Sequence, residues 1–305
     1  MHEYIHSPLI RALYAKVQDQ QVHASSSHTE WYSINCEHFE PQTVEKFLQL
    51  EQDEETEAFL TNCFEKSDWI FTQLYHAIAK AILTWFMTST SINGLLRRGS
   101  MFVFSSAQFQ KLLDIEVDNA LETLLDLGAG DGMVTVKMAP FFHRVFVTEV
   151  SVTMNWRLKE RGFTLLDPFS WELVNADPEA GISCPDRFDV ISCLNLLDRC
   201  DTPLTLLKRV AGKLKPKTGR LVIGIVLPLN QYVETTSDRN ASESLDPPNS
   251  PLWEVHFDAL LSRILAVADF ELVRWTRVPY LCEGDFTQNF FYLNEIVMVL
   301  RIRSS

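Results

Sequence analysis

Apolar positions change their spacing partway along the chain, and the change divides it in two. Up to about residue 115 they recur at three- and four-residue steps. The clearest stretch runs from Glu57 to Phe86, where Phe59, Leu60, Cys63 and Phe64 are followed by Phe71, Leu74, Ile78, Ile82, Trp85 and Phe86. That spacing predicts amphipathic helix in two pieces broken near Lys66–Asp68, with the aromatics serving as core. From Glu122 onward short apolar runs alternate with helical segments, the pattern of a parallel sheet covered by helices. Seven strands are predicted, at 123–126, 145–149, 164–166, 188–193, 220–226, 271–278 and 296–302. Helices are expected between them at about 134–140, 152–161, 203–214 and 252–268. The last two strands form a pair after the final helix, which fits an open sheet whose last strand runs antiparallel. Residues 1–115 then form an N-terminal helical extension or lid, and residues 116–305 the core.

Polar segments interrupt this pattern. Residues 22–29 are expected to be a loose connector and 172–187 a loop carrying two prolines and several acids. Residues 234–251, ETTSDRNASESLDPPNSP, have almost no apolar positions and are expected to be a mobile surface loop. The sequon at Asn240 is expected to be unused.

Of the 305 residues, 46% are hydrophobic, enough for a real core, and the net charge is −13. An acidic chain without a long Lys/Arg run is a poor nucleic-acid surface and suits small molecules or neutral to cationic protein segments. The six cysteines form no CxxC pair and the eight histidines show no metal-ligand spacing, so no metal site and no disulfide scaffold are predicted. Reduced cysteines point to an intracellular protein. The N-terminus lacks the apolar core of a signal peptide, and Gln73, His76 and Lys80 break the most apolar stretch, Trp69–Met87. A soluble chain without an integral membrane span is therefore expected.

Chemistry concentrates where the first long strand runs into Asp126-Leu127-Gly128-Ala129-Gly130-Asp131-Gly132. Glycine is required where the backbone turns sharply and where a Cβ would strike a ligand across the strand end. A dinucleotide site favours GxGxxG with a pyrophosphate at the helix N-terminus, whereas this loop is GxGxG and carries an acid, Asp131. S-adenosylmethionine has no phosphate, and nearby carboxylates suit its sulfonium and ammonium. Asp126 is placed for that ammonium, directly or through water. Glu149, 21 residues after Gly128 at the tip of the second strand, is placed for a ribose diol. The adenine is expected near Asp167-Pro168-Phe169, with Asn175-Ala176-Asp177 as the rival. The fold expected is a seven-stranded Rossmann-like class I methyltransferase sheet with helices on both faces.

The fourth strand ends in Ser192-Cys193-Leu194-Asn195-Leu196-Leu197-Asp198-Arg199-Cys200-Asp201, the edge that faces the transferable methyl in this architecture. Asn195 and Asp198, three apart, could share one face, while Asp201 before Thr202-Pro203 is read as a helix cap. This run, with DLGAGDG upstream, SINGLLRRGSMFVFS at 91–105 and PYLCEGD at 279–285, closely resembles the DREV-type methyltransferases, among them protein-histidine N-pros-methyltransferases. The resemblance covers most of the chain from about Trp69. It implies methyl transfer to a histidine ring nitrogen in proteins or peptides with alternating histidines, His-x-His, and release of S-adenosylhomocysteine. It further implies cofactor contacts at Glu149, Asn195 and Tyr280, and leaves cytoplasm, endoplasmic reticulum and mitochondrion as compartments. Asp198 is the candidate acceptor that holds the target ring, with Asn195 and Tyr280 shaping the pocket. Glu283 and Asp285 are candidates for drawing in a His-rich segment, and Arg97 and Arg98 for a lid. A monomer is the default expectation. The competing readings are a methyltransferase of small molecules or RNA, a non-catalytic binding module of the same fold and, last, a nicotinamide enzyme.

Overall fold

In the computed structural model the described residues are 28–67, 92, 95, 96, 99–116, 119–173, 184–233, 239–285 and 288–303. The second half of the predicted helical stretch, the apolar segment 69–87, Arg97, Arg98, Asn175 and Asp177 lie outside them. No helix among the described residues is long and apolar enough to cross a membrane.

Seven strands form where the apolar runs predict them: β2 (Leu121–Leu127), β3 (Phe142–Thr148), β4 (Thr164–Leu166), β5 (Val190–Leu194), β6 (Arg220–Val226), β7 (Phe270–Glu283) and β8 (Phe290–Ile302). Together with a short strand β1 (Met101–Phe102) they make one eight-stranded sheet, ordered β1-β7-β8-β6-β5-β2-β3-β4. β2 pairs in parallel with both β3 and β5, β8 runs antiparallel between β6 and β7, and β1 runs antiparallel to β7 at the sheet edge. The chain leaves β2 toward β3 and β4, then crosses back to β5 and β6. The crevice for a ligand in such a sheet therefore opens at the carboxyl ends of β2 and β5.

Central strands buried on both faces divide their side chains by parity. Leu124, Val190, Val222, Val297 and Val299 pack on one face with Phe109 and Leu112 of α3 (Ser106–Leu113) and Met138 of α4 (Met133–Met138). Their neighbours Leu125, Ile191, Ile223, Met298 and Leu300 face the other layer. There they meet Leu207 and Val210 of α6 (Pro203–Lys213) and Phe257, Leu260 and Ile264 of α7 (Trp253–Val267). The remaining crossover helix, α5 (Val152–Glu160), joins β3 to β4.

The N-terminal extension is built into this core. Its Trp31, Tyr32, Leu50 and Leu60 are buried on the α3 face. After the single turn α1 (Pro41–Val44), Lys46 and Leu48 exchange backbone hydrogen bonds with Trp275 of β7, and β1 pairs further along the same strand. Both devices cover backbone groups that an edge strand would otherwise offer to another chain. Asp53 joins two helix starts: its Oδ1 accepts from Thr56 in the first turn of α2 (Glu54–Ser67), and its Oδ2 from Ser105 Oγ, the N-cap of α3. Ser105 and Gln108 complete a capping box.

Three differences from the sequence reading have local causes. β1 is too short for its pattern to predict it, since two residues cannot show a period. The described part of the supposedly mobile loop, residues 239–251, is anchored: Leu245 is buried, Gln231 bonds the backbone of Glu243 and Leu245, and Asp201 accepts from Ser242. Asp201 is thus not the cap of α6; Glu243 takes that place, accepting from the Thr205 amide at 2.8 Å.

Candidate active site

β2 ends in a loop whose three glycines all lie in the left-handed region, Gly128 at φ 72°, Gly130 at 57° and Gly132 at 79°. Only glycine adopts that conformation without strain. The loop hangs from β3: Gly128 and Ala129 donate to the Thr148 carbonyl, each at 3.0 Å, and Gly130 donates to Glu149 Oε2 at 3.0 Å. The glycines divide the work. A Cβ at Gly128 would lie 3.0 Å from Leu196, and one at Gly132 2.8 Å from Leu158, so these two are required by packing. A Cβ at Gly130 would meet only Met101 Cε, at 3.8 Å.

Glu149 is buried, and its second oxygen accepts from the Ser151 amide at 2.8 Å. Each carboxylate oxygen keeps a lone pair for a ligand hydroxyl. Asp126 sits deeper, its oxygens taken by Thr135 Oγ1 (2.6 Å) and Ser192 Oγ (2.7 Å). It therefore braces β2 against α4 and β5. Asp131 Oδ1 accepts from Met133, and its Oδ2 lies 3.6 Å from Arg157 and 3.9 Å from Arg161 of the chain after β3. Those guanidiniums balance the acid that the sequence reading set against a pyrophosphate.

Burial pushes the Asp126 carboxyl up to about 6 from an ordinary 3.8, against the two hydroxyl bonds, which lower it. An acid raised on folding binds its proton more tightly in the folded state, so its contribution to stability falls as pH climbs from about 4 to 6 and the deficit is complete above that. The displacement corresponds to on the order of 3 kcal/mol. Asp126→Asn, which keeps both hydroxyl partners within reach, should raise Tm at pH 8 and give no gain near pH 4. Scanning calorimetry at the two pH values checks this; an equal change at both would refute it.

At the carboxyl end of β5 the backbone of Asn195 turns left-handed (φ 52°), its amide donating to the Gly224 carbonyl at 2.8 Å. Its side-chain Nδ2 donates to Glu295 Oε1 at 3.0 Å. Asp198, three residues on, is buried, and its Oδ2 accepts from Arg199 Nε at 2.9 Å. Arg199 in turn stacks 3.9 Å over the Tyr232 ring. Burial raises the Asp198 carboxyl, while Arg199 opposes the rise. Tyr280 of β7 donates to Met101 Sδ, so β1 brings Met101 between Tyr280 and the glycine loop. Burial holds the Tyr280 hydroxyl well above 10.

The structure thus joins Asn195, Asp198 and Tyr280 in one neighbourhood, and it adds Glu295, which the sequence reading missed. Glu295 is fully buried and pairs in register with Val226 of β6 and Val278 of β7. With Asn195 as its one hydrogen-bonded side chain among the described residues and Asp198 nearby, its carboxyl is pushed up to about 8, mainly by burial. The signal for it was Gly224, a lone glycine inside the apolar run Arg220–Val226, which marks close approach by another group. A Cβ there would lie 2.4 Å from Glu295 Oε1.

The structure also places Asp167 and Glu283. Asp167 is exposed and binds its own turn, accepting from Phe169 and Ser170, which holds its carboxyl below the usual range. Glu283 does not reach into solvent for a substrate; it accepts from the Ser100 amide at 3.3 Å and lies 3.8 Å from Lys66, tying β7 to the extension. No two of the six cysteines are bonded to each other.

A family model described as DREV methyltransferase matches residues 31–302. Among curated proteins, the mitochondrial ubiquinone biosynthesis O-methyltransferase of Saccharomyces cerevisiae is 22% identical over 120 residues, 39% of this chain. The match spans 38% of that protein's length. Among solved structures, N-methyltransferase NodS of Bradyrhizobium japonicum, in complex with S-adenosyl-L-homocysteine, is similar at 18% identity and a TM-score of 0.38, over 65% of this chain and 86% of that one. A TehB-like methyltransferase of Corynebacterium glutamicum is similar at 16% identity and a TM-score of 0.38, over 63% and 86% of the two chains.

Proposed function

This chain belongs to the DREV methyltransferase family, so S-adenosylmethionine is its methyl donor, and we propose that it methylates the pros nitrogen, Nδ1, of histidine in protein segments with alternating histidines. The observation that carries this reading is the group at the carboxyl end of β5. Asn195 Oδ1 and Asp198 Oδ1 are both buried without a hydrogen-bond partner among the described residues, beside the glycine loop. A buried acceptor left bare costs about 1–3 kcal/mol, so such atoms mark where a donor-bearing ligand completes the site.

The residues fit the donor. In this reading the Glu149 carboxylate grips the ribose hydroxyls and the Gly128–Gly132 loop lets the nucleoside lie close to the backbone. Asp126 supports the amino-acid end from below, and Met101 and Tyr280 border the pocket. When bound, the cofactor supplies an electrophilic methyl: the ring nitrogen's lone pair forms the N–C bond, and the S–C pair leaves with sulfur. What the protein adds is mainly position, which can contribute several kcal/mol. Imidazole attacks only when neutral, through the nitrogen lacking a proton. An acceptor at the other nitrogen selects that tautomer, and Asp198 is that acceptor. The N-terminal part of the chain contributes Met101 of β1 to the rim of this pocket. The net charge of −13 favours a neutral or cationic segment over RNA.

The test is label transfer. With labelled donor, a His-Ala-His peptide should take up methyl, and the same peptide with both histidines replaced should take up none. Equal label in both overturns histidine specificity. Label appearing only in a phenolic quinone precursor would move the function toward that of the yeast relative.

A further inference from the structure

Three buried acceptor atoms lack a hydrogen-bond partner among the described residues and belong to one connected group: Asn195 Oδ1, Asp198 Oδ1 and Glu295 Oε2. Asn195 and Glu295 are hydrogen-bonded to each other, and Asp198 is close enough to Glu295 to raise its carboxyl. The bond between them has a fixed sense. When ionised, the Glu295 carboxylate only accepts, so the Asn195 amide turns its Nδ2 toward it and leaves its own oxygen free. Gly224 makes this contact available, because any side chain there would occupy the space of the Glu295 carboxylate.

We propose that Glu295 is a positioning and specificity-determining residue of the methyl-acceptor pocket: it locks the Asn195 amide with Oδ1 free, and the resulting set of acceptor oxygens admits a nucleophile that carries an N–H. The proposal rests on the histidine reading above for the identity of the nucleophile, but the donor requirement is separate from it. An imidazole whose far nitrogen is protonated meets the requirement, and one whose far nitrogen is already alkylated does not. Asp198 then accepts the ring N–H, while Glu295 and Asn195 keep neighbouring donors of their own out of the pocket. Burial pushes Glu295 up to about 8, so its ionised, accepting form is the one that prevails above that pH.

Glu295→Gln tests the idea without changing shape. If the new amide nitrogen takes the place of Oε2, a donor enters the pocket. If it takes the place of Oε1, the Asn195 amide must flip and present its own Nδ2. Either way an acceptor is exchanged for a donor. Binding of 4-methylimidazole and of 1,4-dimethylimidazole, which lacks N–H, is measured by NMR titration at about pH 9, where Glu295 is ionised, on protein saturated with S-adenosylhomocysteine. The wild type should prefer the N–H compound at least tenfold. Glu295→Gln should reduce that preference to within about twofold, with S-adenosylhomocysteine affinity and Tm not lowered, whereas a merely structural role would lower Tm and leave the preference intact. Glu295→Asp, whose shorter stem retracts the carboxylate from Asn195, should also lose most of the preference, and it decides the question should the glutamine variant not fold. A wild type without preference, or variants that keep it in full, would overturn the proposal. Loss of preference in the variants, combined with a wild type that leaves the His-Ala-His peptide unmethylated, would support the role of Glu295 and defeat the histidine reading alone.

Discussion

Glu149→Lys should abolish S-adenosylhomocysteine binding as seen by calorimetry, a loss of at least about a hundredfold. The side chain has two jobs, and lysine can do neither. Its oxygens accept from the Gly130 and Ser151 amides, which fixes the glycine loop to the end of β3. Hydrogen bonds to a charged group contribute about 1.5–3 kcal/mol each, so losing both already exceeds the roughly 2.8 kcal/mol that a hundredfold change requires. The remaining lone pairs are those proposed for the ribose. Glu149→Gln, which keeps one acceptor oxygen, should fall between wild type and lysine. Circular dichroism on the same samples separates loss of the site from loss of the fold. Affinity in Glu149→Lys within threefold of the wild type would remove Glu149 from the cofactor site.

The ease with which the fold was read follows from burial. β2, β5 and β6 are covered on both faces, so their sequences are continuous apolar runs, and the helices between them carry a 3.6-residue period. β5 still begins at Val190, two residues later than its apolar run, because Phe188 makes only an isolated bridge to Leu214. β7 and β8 extend past the predicted runs 271–278 and 296–302. They continue through Glu283 and from Phe290, beyond the end of β6, where Phe291, Tyr292 and Leu293 stay partly exposed and no core enforces alternation. Within the site, Gly128, Glu149, Asn195 and Asp198 were legible because they occupy fixed places at strand ends. Glu295 was not, since a lone acid ahead of the run Ile296–Leu300 looks like an ordinary polar strand end. Only the sheet order, which sets β8 beside β6, brings it to Asn195. Asp126 is legible as important from its place before the loop, while its partners Thr135 and Ser192 are ones that no spacing along one chain reveals.

Asp198→Asn should lower kcat on a His-x-His peptide by about a hundredfold or more while leaving S-adenosylhomocysteine affinity within threefold of the wild type. Positioned proton acceptors contribute about 10²–10⁴ in rate, and the substitution changes no volume. The fold has little reason to suffer, since Arg199 keeps its stack on Tyr232 and the Tyr232 amide still bonds the residue 198 carbonyl. What disappears is an acceptor for the ring N–H: an asparagine amide can face the pocket with its nitrogen, and even its oxygen carries no charge to steady the ring as it becomes cationic. The pH profile supplies a second signature. Burial raises the Asp198 carboxyl above the ordinary carboxylate range, so the wild-type rate should fall on the acid side as that group takes a proton, in addition to the fall caused by protonation of the target ring near 6.5. The asparagine variant has lost the first of these and should keep the second. A variant with full turnover and an unchanged acid limb would mean that another atom of the pocket receives the ring N–H, and Glu295 would be the next to examine.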